Sequence, residues 1–251
     1  MKRGKVFLVG AGPGAPDLLT LRASDVLRRA NVVFHDALVH PDTLKLAADA
    51  ELIAVGKRSG RHSTAQRFIN KRLVDAAAKH EVLVRLKGGD PMLFGRAHEE
   101  IEALRAAGVP FEIVPGVTAA LAASAELGIS LTKRGAARTV AFLTPRVGAG
   151  EKPNDWARTA ASADTAAIYM GAGEASAIAA ALIASGVAAH TPVVIVENAS
   201  LATRRAIALT VSELPRVSEL GLTGPALILL GHVFADAALE TLPQAASPRY
   251  A

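Results

Sequence analysis

Three groups of residues stand where this chain could do chemistry. The first is Gly88-Gly89-Asp90-Pro91. It follows Val82-Leu83-Val84-Arg85-Leu86-Lys87, a short Val- and Leu-rich run that reads as a buried strand. Behind it, Arg96 to Ala107 has Ala97, Ile101 and Leu104 at helical spacing, with Gly108 as the stop. Strand, glycine turn and helix present backbone to a ligand at the carboxyl end of a strand. Adjacent glycines remove the side chains that would hold a ligand away, and Asp90 adds an acceptor. A tight connection with no ligand explains the turn equally well, taken alone.

The second group is Gly10-Ala11-Gly12-Pro13-Gly14-Ala15-Pro16, after a first strand at Lys5 to Val9, together with Asp36 at the end of a second strand, Asn31 to His35. Formally this is the dinucleotide fingerprint with its ribose-binding acid. That fold starts its helix inside the glycine motif, so that the helix N-terminus meets the pyrophosphate. Here Pro13 and Pro16 push the preceding residues out of the helical region. The helix is expected to start after Thr20, an N-cap, and to run to Ala30, too late for that role. Asp36 is then a carboxylate at a strand rim, able to act as a base or merely to cap a turn. The third group is the basic loop Gly56-Lys57-Arg58-Ser59-Gly60-Arg61-His62, where Lys57, Arg58 and Arg61 are candidates for anion contact.

The elements that must position these groups alternate between strand and helix. A helix is expected over Asp42 to Ala48 and a strand over Leu52 to Val55. Ser63 and Gln66 have capping-box spacing for a helix with Ile69, Leu73 and Ala76 inward. Phe111 to Val114 is a strand, broken by Pro115-Gly116 at a hinge between two domains, 1–116 and 117–251. Val117 to Leu121 opens an Ala-rich helix. In the second half, strands are expected at Thr139 to Leu143, Ala166 to Met170, Val193 to Val196, Ile207 to Thr210 and Ala226 to Leu230. Helices are expected at Ala175 to Ala184 and in a short piece after Ser212, with loops over Gly148 to Asn154 and from Pro243 on.

Composition narrows the classes. With 251 residues, 51 % hydrophobic and 4 % aromatic, the chain packs Ala, Val and Leu in a substantial helix-on-sheet core. The absence of cysteine excludes disulfides, thiolate metal sites and a Cys nucleophile. No His pair has metal-ligand spacing, and neither a P-loop nor a nucleophile elbow is present, so no metal site is expected. The net charge of +5 suits an acidic ligand, but with few aromatics to stack on bases, nucleic acid is not the expected partner. The early apolar run is cut by glycines, no stretch approaches the ~20 residues of a membrane span, and a cytoplasmic protein is expected.

In order along the chain, Val9-Gly10-Ala11-Gly12-Pro13-Gly14, Leu18-Leu19-Thr20-Leu21, His35-Asp36-Ala37-Leu38-Val39, Gly56-Lys57-Arg58 and His62-Ser63 are followed by Arg85 to Pro91, Pro115-Gly116-Val117-Thr118-Ala119, Leu131-Thr132, Tyr169-Met170-Gly171, Thr191-Pro192-Val193 and Pro225-Ala226-Leu227. This ordered set, over about residues 5 to 232, resembles the tetrapyrrole methylases. The resemblance implies a class III methyltransferase of two α/β domains with an active-site cleft between them, and a homodimer. It implies S-adenosylmethionine, leaving as S-adenosylhomocysteine, against Pro13, Gly88, Gly89, Asp90, Leu93, Thr118, Ala119, Met170 and Ala199. Asp36 becomes the proton acceptor and Lys57 a proton donor, and Arg58 and Arg61 of the basic loop are then candidates for contact with the substrate.

The implied reaction is C-methylation of uroporphyrinogen III at C2 and C7, giving precorrin-2 for sirohaem or cobalamin. The departures are local: His35 where Tyr is common, Ala97-His98 for Gly-Gly, Thr144-Pro145-Arg146 for Thr-Gly-His, and Ala199 for Gly, which adds one methyl beside the cofactor. Lys133 and Gly135 flank Arg134 where His and Asp are frequent. The family motifs start at Val6, so no further reductase or synthase domain is expected. Three other readings stay open: a methylase of a later cobalamin step, a nicotinamide dehydrogenase, and a non-catalytic tetrapyrrole-binding protein.

Overall fold

The structure, a computed structural model, describes residues 4–55, 66–148, 150, 152 and 154–238. The chain divides into two units, Met1–Ala119 and Ala120–Ala251.

In the first unit, strands β1 (Lys5–Gly10), β2 (Val32–His35), β3 (Glu51–Ala54), β4 (Val82–Lys87) and β5 (Phe111–Val114) form one sheet in the order β3-β2-β4-β1-β5. Every pairing is parallel. Among the described residues, four α-helices accompany the sheet: α1 (Leu21–Arg28), α2 (Pro41–Leu44), α3 (Gln66–Ala76) and α4 (Ala97–Ala106). Both faces are covered, so the strands are nearly continuous apolar runs. Val84 and Leu86 pack with Ala23, Val26 and Leu27 of α1. Leu83 packs on the other side with Ile69 and Leu73 of α3 and with Ala97, Ile101 and Leu104 of α4. Each fully buried Leu contributes about 1.5–3 kcal/mol by leaving water. Side chains alternate along a strand, so Arg85 and Lys87 share the face of Leu83 and point toward α3 and α4.

Helix α1 starts where its cap dictates. The Thr20 hydroxyl accepts a hydrogen bond from Ala23 N at 3.1 Å, a cap worth about 1 kcal/mol. A 3-10 turn, Pro16–Leu18, fills the segment after the glycines. The span read as one helix over Asp42 to Ala48 is α2 followed by a 3-10 turn, Lys45–Ala47.

In the second unit, β6 (Val140–Leu143), β7 (Thr165–Ile168), β8 (Pro192–Glu197), β9 (Arg205–Thr210) and β10 (Ala226–Gly231) are ordered β6-β7-β10-β8-β9. This sheet is mixed: β6 and β7 are parallel, while β10 runs antiparallel to β7 and β8, and β9 antiparallel to β8. The carboxyl ends of β6, β7 and β8 therefore share one edge. Helix α5 (Ala119–Leu127) starts at the division between the units, and α7 (Ala175–Ala184) lies where its periodicity predicts. A 3-10 segment, Val211–Leu220, opens with a capping box between Thr210 and Glu213.

Two further local features differ from the sequence reading. The structure has a helix, α6 (Trp156–Ser162), where the sequence reading has none. Its apolar signal is only Trp156 and small alanines, of which Ala157 and Ala160 are buried. The strand expected to reach Met170 ends at Ile168, and Met170 itself has φ +58°. That left-handed conformation is uncommon for a residue with a side chain.

Candidate active site at the carboxyl rim of the first sheet

The rim is built from backbone. β1 and β4 are neighbours, and their glycine loops continue the pairing beyond the strands. Ala11 N donates to Lys87 O at 2.7 Å, Gly89 N to Gly12 O at 2.7 Å and Gly12 N to Gly89 O at 3.2 Å. The loop after β5 closes the third side. A Cβ on Gly10 would lie 2.6 Å from Gly116 Cα, and one on Gly116 would strike Gly89 O. These glycines exist for backbone contact with each other.

Gly89 differs from Gly10 and Gly116. Its φ is +67°, and a Cβ there would meet no atom within 4 Å. The space above it is open, as a group brought against the backbone requires. A Cβ on Gly88 would lie 3.1 Å from Leu38 Cβ.

Asp90 is engaged with the protein itself. Its Oδ1 accepts from Met92 N at 2.8 Å and its Oδ2 from Gly116 N at 2.9 Å. The carboxylate ties the β4 loop to the β5 loop and shapes the rim, and its remaining lone pairs are all it can offer a ligand. Pro13 sits half-buried beside Gly12, and Leu93 half-buried beyond Asp90 with its N–H on Asp90 O at 3.3 Å. Thr118 is buried, and Ala119 opens α5.

Asp36 leaves the end of β2, adjacent to β4, and its Oδ1 accepts from Arg85 Nη2 at 2.5 Å. Arg85, 2 % exposed, also donates from Nε to Glu100 Oε1 at 2.9 Å, and from Nη1 to Leu86 O at 3.1 Å and Phe34 O at 3.4 Å. Glu100, 0 % exposed, further accepts from Lys87 Nζ on both oxygens, at 3.2 and 3.1 Å, and from Gln66 Nε2 at 3.1 Å. Two cations and two anions thus lie together beneath the rim. Burial pulls the Arg85 guanidinium down, but Asp36 and Glu100 outweigh it and hold Arg85 above its ordinary value. Lys87 goes the other way: burial, then the charge of Arg85, hold it below its ordinary value.

Sequence reasoning did not find this cluster. Its signal was present: two cations at alternate positions of an otherwise apolar buried strand, and Glu100 next to Ile101 on the inward stripe of α4.

Met170 and Ala199 belong to the second unit, on the shared carboxyl edge of β7 and β8. Met170 is 45 % exposed. Ala199 is buried between Asn198 and Ser200, both with positive φ. The loop is braced by Glu197, whose Oε1 accepts from Thr223 N at 2.6 Å and Gly224 N at 2.7 Å. Lys57, Arg58, Arg61 and the cap residue Ser63 lie outside the described residues. Among the described residues no group of three or more His, Asp or Glu could hold a metal ion.

A parallel α/β sheet with glycine loops and two carboxylates, Asp36 and Asp90, at its carboxyl rim, followed by a mixed α/β unit, is the architecture of the class III methyltransferases. The chain belongs to the tetrapyrrole (corrin/porphyrin) methylases, whose family model matches residues 5–215. It is similar to the uroporphyrin-III C-methyl transferase of Thermus thermophilus, solved with S-adenyl homocysteine: TM-score 0.82, 40 % identity, over 92 % of this chain and 99 % of that one. A cobalt precorrin-4 methyltransferase is also similar, with TM-score 0.80 at 29 % identity over 91 % of this chain and 95 % of that one. Among curated proteins, siroheme synthase 1 of Klebsiella pneumoniae is 46 % identical over 92 % of this chain and 49 % of its own length. The chain spans about half the length of the curated relatives it matches.

Proposed function

We propose that the chain is an S-adenosylmethionine-dependent C-methyltransferase that methylates uroporphyrinogen III at C2 and C7 to give precorrin-2, toward sirohaem or cobalamin. The observation that carries the reading is the open backbone at Gly89, in a chain 40 % identical to a uroporphyrin-III C-methyl transferase solved with S-adenyl homocysteine. When bound, S-adenosylmethionine supplies a methyl group on a sulfonium that departs as a neutral thioether.

The chain's own tasks are alignment and proton removal. Gly88, Gly89 and Pro13 let backbone approach the cofactor, with Asp90 holding the two loops in register and Leu93, Thr118 and Ala119 completing the first unit's share. Met170 and Ala199 are the second unit's share. Asp36 accepts the proton that the ring system loses after methylation, and Lys57 is a donor. Arg58 and Arg61 face the substrate carboxylates, in keeping with the net charge of +5. Among the described residues no helix is long and apolar enough to cross a membrane. The finer reading is a cytoplasmic homodimer with a tetrapyrrole substrate and neither nucleic acid nor membrane as partner.

The test is anaerobic incubation with uroporphyrinogen III and S-adenosylmethionine, followed by product mass and absorbance. The expected product carries two added methyl groups. No transfer to uroporphyrinogen III, with transfer to an already methylated ring, would move the chain to a later step of the same chemistry. Binding without transfer to either ring would leave a non-catalytic tetrapyrrole binder.

A further inference from the structure

Resting on the reading of Asp36 as proton acceptor, we propose that Arg85 is its positioning residue: a buried guanidinium, anchored on Glu100, that sets the orientation of the Asp36 carboxylate at the rim. Arg85 reaches Asp36 from below, inside the sheet, and its planar fork ties four groups at once: Asp36 Oδ1, Glu100 Oε1 and the carbonyls of Leu86 and Phe34. Leu86 O accepts from Arg85 Nη1 at 3.1 Å and from Asp36 N at 3.2 Å. The backbone and the side chain of Asp36 are therefore referred to the same strand.

Only one carboxylate oxygen is taken. Among the described residues, Asp36 Oδ2 receives no hydrogen bond, and the Asp36 side chain is 29 % exposed against 3 % for Arg85. Oδ1 is held and Oδ2, on a partly exposed side chain, keeps its lone pairs for a proton, which is the arrangement a proton acceptor needs.

Stability alone does not account for the cluster. Arg85, Lys87, Glu100 and Asp36 balance as two positive and two negative charges. Packed apolar residues hold such a site together as well as buried ion pairs do. What an apolar set cannot do is point a carboxylate. Lysine in place of Arg85 keeps the charge balance but loses the fork, because an ammonium cannot span the same acceptors in one plane.

The test is Arg85→Lys, measured for melting temperature, S-adenosylhomocysteine affinity, KM for uroporphyrinogen III and turnover, alone and on the Asp36→Asn background. Misplacing a catalytic group by about 1 Å costs about 10² in rate, and that is the loss expected in kcat, with KM and cofactor affinity within about twofold of wild type. On the Asp36→Asn background the same substitution should cost little more, since the two act as one unit. Losses that multiply would overturn the proposal while leaving Asp36 as the base. Wild-type turnover of Asp36→Asn would overturn the reading of Asp36, and the positioning role with it. Should Arg85→Lys fail to fold, the charge-balanced pair Arg85→Gln with Glu100→Gln replaces it, because Lys87 and Asp36 still cancel. Loss of kcat at unchanged cofactor affinity then supports the proposal, and wild-type kcat overturns it.

Discussion

Gly12 and Gly89 face each other backbone to backbone across the carboxyl rim, each donating its N–H to the other's carbonyl, at 3.2 and 2.7 Å. This two-residue antiparallel bridge caps a pair of parallel strands. It uses the N–H groups of both glycines, so at Gly89 what the rim offers a ligand is open space beside the backbone.

That division of labour predicts opposite phenotypes for neighbouring glycines. Gly116→Ala drives a methyl into Gly89 O and Gly10 Cα and should lower the melting temperature. Gly89→Ala meets open space but must hold φ +67°, a strain of about 1–2 kcal/mol. Its main effect should be on S-adenosylhomocysteine affinity, measured by calorimetry, and Gly89→Val should abolish that affinity at a larger cost in stability. Normal binding by both Gly89 variants would remove the turn from the cofactor site.

Asp36→Asn should lower turnover by about 10²–10⁴ if Asp36 is the base. It should also destabilise, because the buried cluster beneath is left with one excess positive charge. A charged hydrogen bond of this kind contributes about 1.5–3 kcal/mol, discounted here because Asp36 is partly exposed and Asn still accepts from Arg85. Adding Lys87→Met restores neutrality and should recover melting temperature without recovering turnover. Thermal melts and rates on the single and double variants separate charge balance from catalysis.

The pH dependence has two limbs. Glu99, through its hydrogen bond from Arg96, Glu112, through Lys5, and Asp164, through the backbone N–H of Arg138, are held below their ordinary values. Depressed carboxylates stabilise the fold above their unfolded pKa values of 4.5 and 3.8, and that contribution is lost as pH falls through the folded values. Stability should therefore drop in acid below about pH 4.5. Lys87 acts in the opposite sense: its folded value is depressed, the unfolded chain holds the proton more tightly, and its penalty is relieved as pH rises toward 10.5. Lys87→Met should flatten this alkaline limb in denaturant titrations and leave the acid limb in place.

Uroporphyrinogen III affinity should weaken with added salt if Lys and Arg side chains bind its carboxylates, because salt screens that attraction. S-adenosylhomocysteine affinity should change much less. Salt titration of both ligands, on wild type and on Arg58→Ala with Arg61→Ala, checks this. An unchanged salt slope in the double variant would move the substrate contact to other cations, with Arg134, Arg138 and Arg146 next in line.

The sequence by itself determined the strand and helix order of the first unit, the start of α1 at Thr20, and the glycine turns at strand ends. These follow from local rules: apolar period, cap chemistry and backbone conformations open to glycine. It also placed Asp36 on a rim, because a residue just past a parallel strand can be nowhere else. Tertiary structure alone decided three things. Strands β9 and β10 both pair antiparallel to β8, one on each side of it, because pairing partners are chosen across the sheet and not along the chain. Asp90 turned out to be engaged with Gly116, a contact between loops that are distant in sequence. Arg85, Lys87 and Glu100 became one cluster beneath Asp36, since only the packing of α4 on β4 brings Glu100 onto the face that Arg85 and Lys87 share. A charge on a buried strand announces that it must have a partner, but which partner is settled by which helix lies over it.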